Sequence, residues 1–303
     1  MSIEGYDLLN EIARDVGHVS HEARQRSTGR RVVLQLVPTL GGAPGLRDEM
    51  LARLRAVALL DHPRLVPVLA VGETDSGCYL VRQPLPAVTL ASHLGSHDDP
   101  PPPRQAATWV EQVAGAVAHC HDHGVFGPYV SMDSVLIEGG EARLDVIRVA
   151  HVNFLCPPMP PAPVDPELIP GPPSAICPER IRGVGRPDDP RRDVWALGVL
   201  LYRLLTGQLP FAASRVYEML NAILEEEPIA PRMRRAEVPA DLDAVCMRCL
   251  RKKVEDRYPD VRQLAAALRA HLEGRPARAD EPVSLKSRLR QWMGGWWAGS
   301  ASG

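Results

Sequence analysis

Apolar positions along the chain change from a short, strand-like spacing in the first third to a helical period in the rest. Residues 30–37, RRVVLQLV, are β-branched and apolar and follow the turn residues Ser27-Thr28-Gly29, which predicts a strand. Over 45–60 the apolar residues Leu46, Met50, Leu51, Leu54, Val57 and Ala58 recur at helical spacing and predict a helix. LVPVLAVG (65–72) and CYLVRQPL (78–85) predict two further strands separated by the turn TDSG. The run DDPPPP at 98–103 breaks the pattern. Beyond it, 104–123 reads as an amphipathic helix carrying Trp109, Val110, Val113, Ala116 and Val117. Strand-like segments at 135–137 and 142–147 flank Glu138-Gly139-Gly140-Glu141 as a hairpin. Nine of the seventeen residues 157–173 are proline, which forbids regular structure there. Helical periodicity resumes at 191–206, 214–226, 240–252 and 260–273. The pattern is a small strand-rich part before about residue 85, then a larger helical part.

Composition narrows the function classes. The chain has 303 residues, 45% apolar and 24% charged, which is the balance of a globular protein. Thirty-five basic and 37 acidic residues leave a net charge of -2, which argues against a dedicated nucleic-acid binder. There is no apolar run of transmembrane length. The opening MSIEGYDLLNEIARD is acidic and lacks a long apolar stretch, so no secretory signal is expected. Six scattered cysteines fit a reducing compartment better than a disulfide framework.

The order of elements and several motifs resemble the protein kinase fold of bacterial serine/threonine kinases. Asp193-Val194-Trp195-Ala196-Leu197-Gly198, continuing as VLLYRLLTGQLPF, is similar to the long buried helix of that family. Cys177-Pro178-Glu179 resembles its APE motif, and Asp256-Arg257-Tyr258 the late arginine segment that pairs with that glutamate. His62-Pro63-Arg64-Leu65-Val66 resembles the HPNIV turn. Tyr6-Asp7-Leu8-Leu9 and the segment Ala23 to Gly29 look like the first two strands. The likeness runs from about residue 6 to 273. It implies an α+β, two-lobed kinase-like domain over 1–280, with an N-lobe of about 1–85 and a C-lobe of about 86–280. A basic, Trp-containing tail occupies 281–303.

Position by position, the resemblance also implies a degenerate site. Phosphoryl transfer needs cradled phosphates, bound metal and a group that orients the hydroxyl. Aligned from Ile12, the three glycine positions of the phosphate loop hold Ala13, Asp15 and His18. The lysine position in VVLQLV holds Gln35. The helix glutamate position holds Arg53, with Glu49 one turn away, and the gatekeeper position holds Arg82. In the catalytic loop, Tyr129 stands at the base position, Ser131 at the lysine and Ser134 at the metal-binding asparagine. Val146-Ile147-Arg148 replaces the DFG triplet, and a valine cannot hold Mg²⁺, which demands oxygen ligands. Between Val146 and Pro173 there is no Ser, Thr or Tyr, and Pro128 stands where the loop arginine would receive a phosphate. Glu179, Asp193 and Arg257 are then structural braces.

Other groups have competing readings. Asp145 becomes a metal ligand if the preceding hairpin slips by one residue; otherwise it is a polar strand end. Asp133 is a fallback base or a solvated turn residue. Cys246 and Cys249 fall on a helix with no second pair and read as two half-buried thiols. His119, His121 and His123 alternate near a helix end, where a solvated C-terminus suits them better than metal binding. In the tail, Leu285, Leu289, Trp292 and Met293 share a helical face among Lys286, Arg288 and Arg290. The segment 284–297 is either a weak membrane-surface contact or a short docked helix.

The expectation is a catalytically inactive pseudokinase, a binding or regulatory module in signalling with a protein partner and no nucleic acid. No metal or other cofactor is expected, and the location is cytoplasmic, with membrane association only through the tail. The alternative is a divergent active serine/threonine kinase using ATP and Mg²⁺ through displaced residues. A decaying sequence is the third reading, and the intact apolar periodicity of the late helices stands against it. The proline segment 157–173 is either a draped cover or a docking strap.

Overall fold

The computed structural model describes residues 3–15, 18–38, 46–75, 77–84, 88–95, 99–127, 130–138, 141–144, 173–186 and 188–275. Val146, Asp145, Tyr129, most of the proline segment and the whole basic tail therefore lie outside the described residues.

A five-stranded antiparallel sheet forms the first lobe. Its strands are β1 (Tyr6–Asp15), β2 (His18–Gln25), β3 (Arg31–Pro38), β4 (Val68–Thr74) and β5 (Gly77–Arg82), in the order β1-β2-β3-β5-β4. Helix α1 (Leu46–Ala58) packs on β4 and β5 through Met50, Leu51, Leu54 and Val57. Three boundaries differ from the sequence reading. β4 starts only at Val68, because Pro67 has no N–H to give a ladder. β5 stops at Arg82, two residues before Pro84. The second strand is His18–Gln25, ending before the Gly29 that the resemblance implied, and the turn residues Ser27-Thr28-Gly29 lead into β3 as read.

The two faces of this sheet bury different cores. Alternate residues of a strand point to opposite faces. Leu34, Leu36 and Val81 join Tyr6 and Ala23 in a small outer cluster, while Val37, Cys78 and Leu80 join α1 and the second lobe in the main core.

After β6 (Val88–Thr89) the chain is mostly helical: α2 (Leu90–Gly95), α3 (Pro103–Asp122), α4 (Pro178–Ile181), α5 (Arg191–Thr206), α6 (Val216–Glu225), α7 (Pro231–Arg234), α8 (Ala240–Cys249) and α9 (Val261–Leu272). The strands β7 (Val135–Glu138) and β8 (Glu141–Leu144) make a regular hairpin that adds β6 at its edge. Neither β6 nor α2 was read from the sequence; both are too short to show a period.

Local chemistry explains the main helices. Pro103 opens α3, where a missing N–H costs nothing. Asp260 caps α9 by accepting a 2.8 Å hydrogen bond from Gln263 N. Gly207 ends α5 in the left-handed conformation, φ 72°, which a side chain would strain. α5 is the axis of the lobe: Trp195, Leu197, Leu201, Tyr202, Leu204 and Leu205 are all inaccessible. Cys246 and Cys249 are fully buried on α8 rather than half-buried, because that face of α8 lies against α5. Among the described residues, no helix is long and apolar enough to cross a membrane.

Candidate functional site

The site is built from the loop residues 123–127 and 130–134, which meet α5 at Asp193. Its brace is Asp193, in the first turn of α5 and only 3% exposed. Asp193 Oδ2 accepts from Gly127 N at 2.9 Å and lies 2.7 Å from His121 Nε2 at the end of α3. Burial pushes the Asp193 carboxyl up, and the hydrogen bonds from His121 and Gly127 pull it back. This corrects the reading of His121 as solvated: its side chain is 6% exposed, and the ring stacks on Phe126 at 4.9 Å. Helical spacing could have shown this, since His121 follows Val113 and Val117 at intervals of four on the buried face of α3.

The loop beyond Val130 is closed by two serines. Ser134 Oγ donates to Ser131 O at 3.1 Å and accepts from Ser131 N at 2.8 Å. Ser131 Oγ in turn accepts from the N–H groups of Asp133 and Ser134, both at 3.2 Å. Both residues are buried, and Ser134 is wholly inaccessible. The hydroxyls at the lysine and asparagine positions thus satisfy their own turn. Asp133 projects its exposed side chain from that turn. The β7–β8 hairpin runs without a bulge from Glu138↔Glu141 to Val135↔Leu144, and Asp145 follows outside the described residues.

In the sheet lobe, Ala13 pairs with Ser20 and Asp15 with His18, so the three glycine positions lie on paired strands of a hairpin. Gln35 is 2% exposed and its Nε2 has no hydrogen-bond partner. Arg53 and Glu49 pair with each other at 2.8 Å on the exposed side of α1, so neither faces the sheet. Arg82 is half-buried at the end of β5.

Below the loop, Glu179 on α4 meets Arg257 in a buried bidentate pair, 2.8 Å for each bond. Although burial acts to raise it, the Arg257 guanidinium holds the Glu179 carboxyl below its ordinary value. Arg257 also donates to Arg251 O at 2.8 Å and lies 4.9 Å from the Trp195 ring centre. Val130, Ser131, Met132 and Asp133 line one side of a cavity of about 130 Å³ whose other walls are Ser174, Ala175, α5 and Leu209.

Of the positions that the resemblance assigns to Mg²⁺, only Ser134 lies among the described residues, and it fits the ion poorly. Magnesium needs oxygen ligands in near-octahedral array, and Ser134, which the resemblance puts at the metal-binding asparagine, has turned its oxygen inward to Ser131 O. Among the described residues, no three His, Cys, Asp or Glu side chains converge to hold a metal ion.

Comparison with known proteins places this geometry. Residues 15–267 match the family model described as protein kinase domain. Over 277 residues the chain is 29% identical to serine/threonine-protein kinase PknB of Mycobacterium leprae, covering 88% of this chain and 43% of that protein. It is 29% identical over 250 residues to serine/threonine-protein kinase Pkn1 of Myxococcus xanthus, covering 81% and 35%. Against serine/threonine-protein kinase PknD of Chlamydia abortus the identity is 26% over 300 residues, covering 90% and 32%. The chain spans less than half the length of these relatives.

Proposed function

The chain belongs to the protein kinase domain family, and from that premise we propose that it is a pseudokinase, a regulatory or docking module in signalling that performs no phosphoryl transfer. The observation that carries this is the closed Ser131–Ser134 turn. A loop that must offer oxygen to metal and a cation to phosphate has spent both side chains on its own backbone. Gln35 supports it from the other lobe, since a neutral amide cannot anchor phosphate as an ammonium does. Its protein partner would read the surface of an intact fold, whose braces at Asp193 and Glu179–Arg257 are complete.

One observation favours the divergent-enzyme alternative. Asp133 presents an exposed carboxylate from the same turn. A labelled-phosphate assay with ATP and Mg²⁺ or Mn²⁺ separates the two. No autophosphorylation and no transfer to generic protein substrates is the expected result. Transfer that persists through stringent purification and vanishes in Asp133→Ala or Asp145→Ala would overturn the pseudokinase reading.

A further inference from the structure

The turn between α1 and β4 carries a histidine whose ring nitrogens are assigned by the bonds around it. Arg64 N donates to His62 Nδ1 at 3.1 Å, and Leu65 N donates to His62 O at 2.9 Å. Nδ1 accepts only while it holds no proton, so the neutral His62 ring carries its hydrogen on Nε2. At the end of α3, His123 Nδ1 lies 2.9 Å from His119 O. A carbonyl oxygen only accepts, so His123 carries its hydrogen on Nδ1.

The three rings form a file across the junction of the lobes. His62 comes from the sheet lobe, and His119 and His123 stand at the end of α3 in the helical one. The His62 and His119 ring centres are 5.1 Å apart, those of His119 and His123 4.4 Å. His119 Nε2 is buried with no hydrogen-bond partner. The charged groups that face His62 are Asp61 and Arg64 of its own turn and His119 of α3; those that face His119 are His123 and Asp61. Of these only Asp61 favours protonation. Both ends of the turn are fixed by apolar side chains. Leu60 and Leu65 are buried in the main core with Val113 and Val117 of α3. A change in residues 61–64 therefore needs no loss of core contact.

We propose that the turn 61–66 is a proton-operated latch between the lobes. A proton taken from solvent at His62 Nδ1 occupies the lone pair that holds the Arg64 N–H. Donor then faces donor, and the turn opens. The new cation also stands 5.1 Å from His119, where a second proton adds like-charge repulsion. Closed at neutral pH, the latch holds the turn against the end of α3. Open in acid, it releases residues 61–64 while Leu60 and Leu65 stay seated. The latch makes no use of the Ser131–Ser134 turn and stands whether or not the chain transfers phosphate.

The test uses the whole chain at about pH 7.5 and about pH 5.5, on either side of the ordinary histidine value, and well below its melting temperature. Long-range proton–nitrogen spectra of the imidazoles report the tautomers. At the higher pH, His62 should carry its hydrogen on Nε2 and His123 on Nδ1. Amide exchange resolved to single residues, corrected for its intrinsic pH dependence, reports the Arg64 N–H. Its protection should fall about tenfold on acidification, the upper value for one hydrogen bond. His62→Asn supplies an oxygen that accepts from the N–H two residues on and does not titrate. Arg64 protection in that variant should be the same at both pH values. His62→Ala lacks the acceptor and should lose the protection at both. His119→Phe keeps a ring without charge, and the midpoint of the Arg64 loss should move to higher pH as the neighbouring cation disappears. The latch is wrong if His62 carries its hydrogen on Nδ1, or if Arg64 protection in the unaltered protein is equal at the two pH values. It is equally wrong if His62→Asn still loses protection in acid. An unmoved midpoint in His119→Phe would overturn the part given to His119. If His62→Ala fails to fold, His62→Asn and the tautomers of the unaltered protein decide the matter.

Discussion

Arg257 places both terminal nitrogens on Glu179, Nη1 to Oε1 and Nη2 to Oε2, each at 2.8 Å and across 78 residues of sequence. The guanidinium is wholly shielded and the glutamate side chain is 8% exposed. Further bonds run from Arg257 to the carbonyls of Arg251 and Arg191. Removing one member of a buried pair leaves the other charge without a partner, which costs about 3–5 kcal/mol. Arg257→Ala should therefore lose that much stability in urea unfolding. Arg232→Ala, an exposed side chain on α7, should change stability by less than about 0.5 kcal/mol. Equal effects would mean that the pair does not hold α4 to the 251–257 segment.

Ser134 offers a second test, aimed at the site. Its side chain has no exposed surface and both its hydroxyl bonds stay within the turn. Ser134→Asn restores the residue that the resemblance puts at this position, but the longer amide must push against the neighbours of a wholly buried side chain. Overpacking of this kind costs about 1–3 kcal/mol. The variant should be less stable and should gain no Mg²⁺-dependent shift with ATP. A stable variant that acquires such a shift would show that the turn is open to repair.

How much of this was legible in the sequence depends on the residue. The late helices were, because α5 and α9 each carry more than three turns of amphipathic pattern and α6 nearly three. The Glu179–Arg257 pair was reached only through resemblance, since no local rule links residues so far apart. His121 was misread for a different reason. Its neighbours His119 and His123 made the segment look like a solvated helix end, whereas its burial depends on Asp193 from another helix. The orphaned amide of Gln35 was invisible, because a polar residue in an apolar strand does not announce whether it finds a partner.

The histidines around the turn after α1 give a pH prediction. The His62 and His119 rings lie 5.1 Å apart, and His119 and His123 4.4 Å apart. His119 Nε2 is buried without a partner. Burial pulls His62 and His119 below the ordinary histidine value, helped by each one's neighbouring cations, His119 and Arg64 for His62 and His123 for His119. Asp61 opposes both shifts. With the folded values below the unfolded one, near 6.5, the unfolded chain binds more protons. Stability is then full above about pH 6.5 and falls as the pH drops below it. Melting temperature measured from pH 8 to 5.5 should fall less steeply in His119→Gln than in the unaltered protein. Parallel curves would remove the histidines as the cause.

Two glycines on helices should respond to alanine in opposite directions. Gly198 lies mid-way along α5, where a Cβ would stand 2.4 Å from Cys249 Cβ and 3.3 Å from Leu250 Cδ2. Alanine is the better helix former by about 1 kcal/mol. That gain cannot offset a clash with the packed face of α8, where Cys249 is inaccessible and has no room to retreat. Gly198→Ala should destabilise by about 1–3 kcal/mol, the range for an overpacked core. Gly115 occupies α3 with nothing within 4 Å of the added carbon. Gly115→Ala should stabilise by about 0.5–1 kcal/mol, through the entropy that glycine loses on folding. Urea unfolding of both variants decides the matter. If both stabilise, the contact between α5 and α8 is looser than these distances require. If both destabilise, α3 packs against more than its described neighbours.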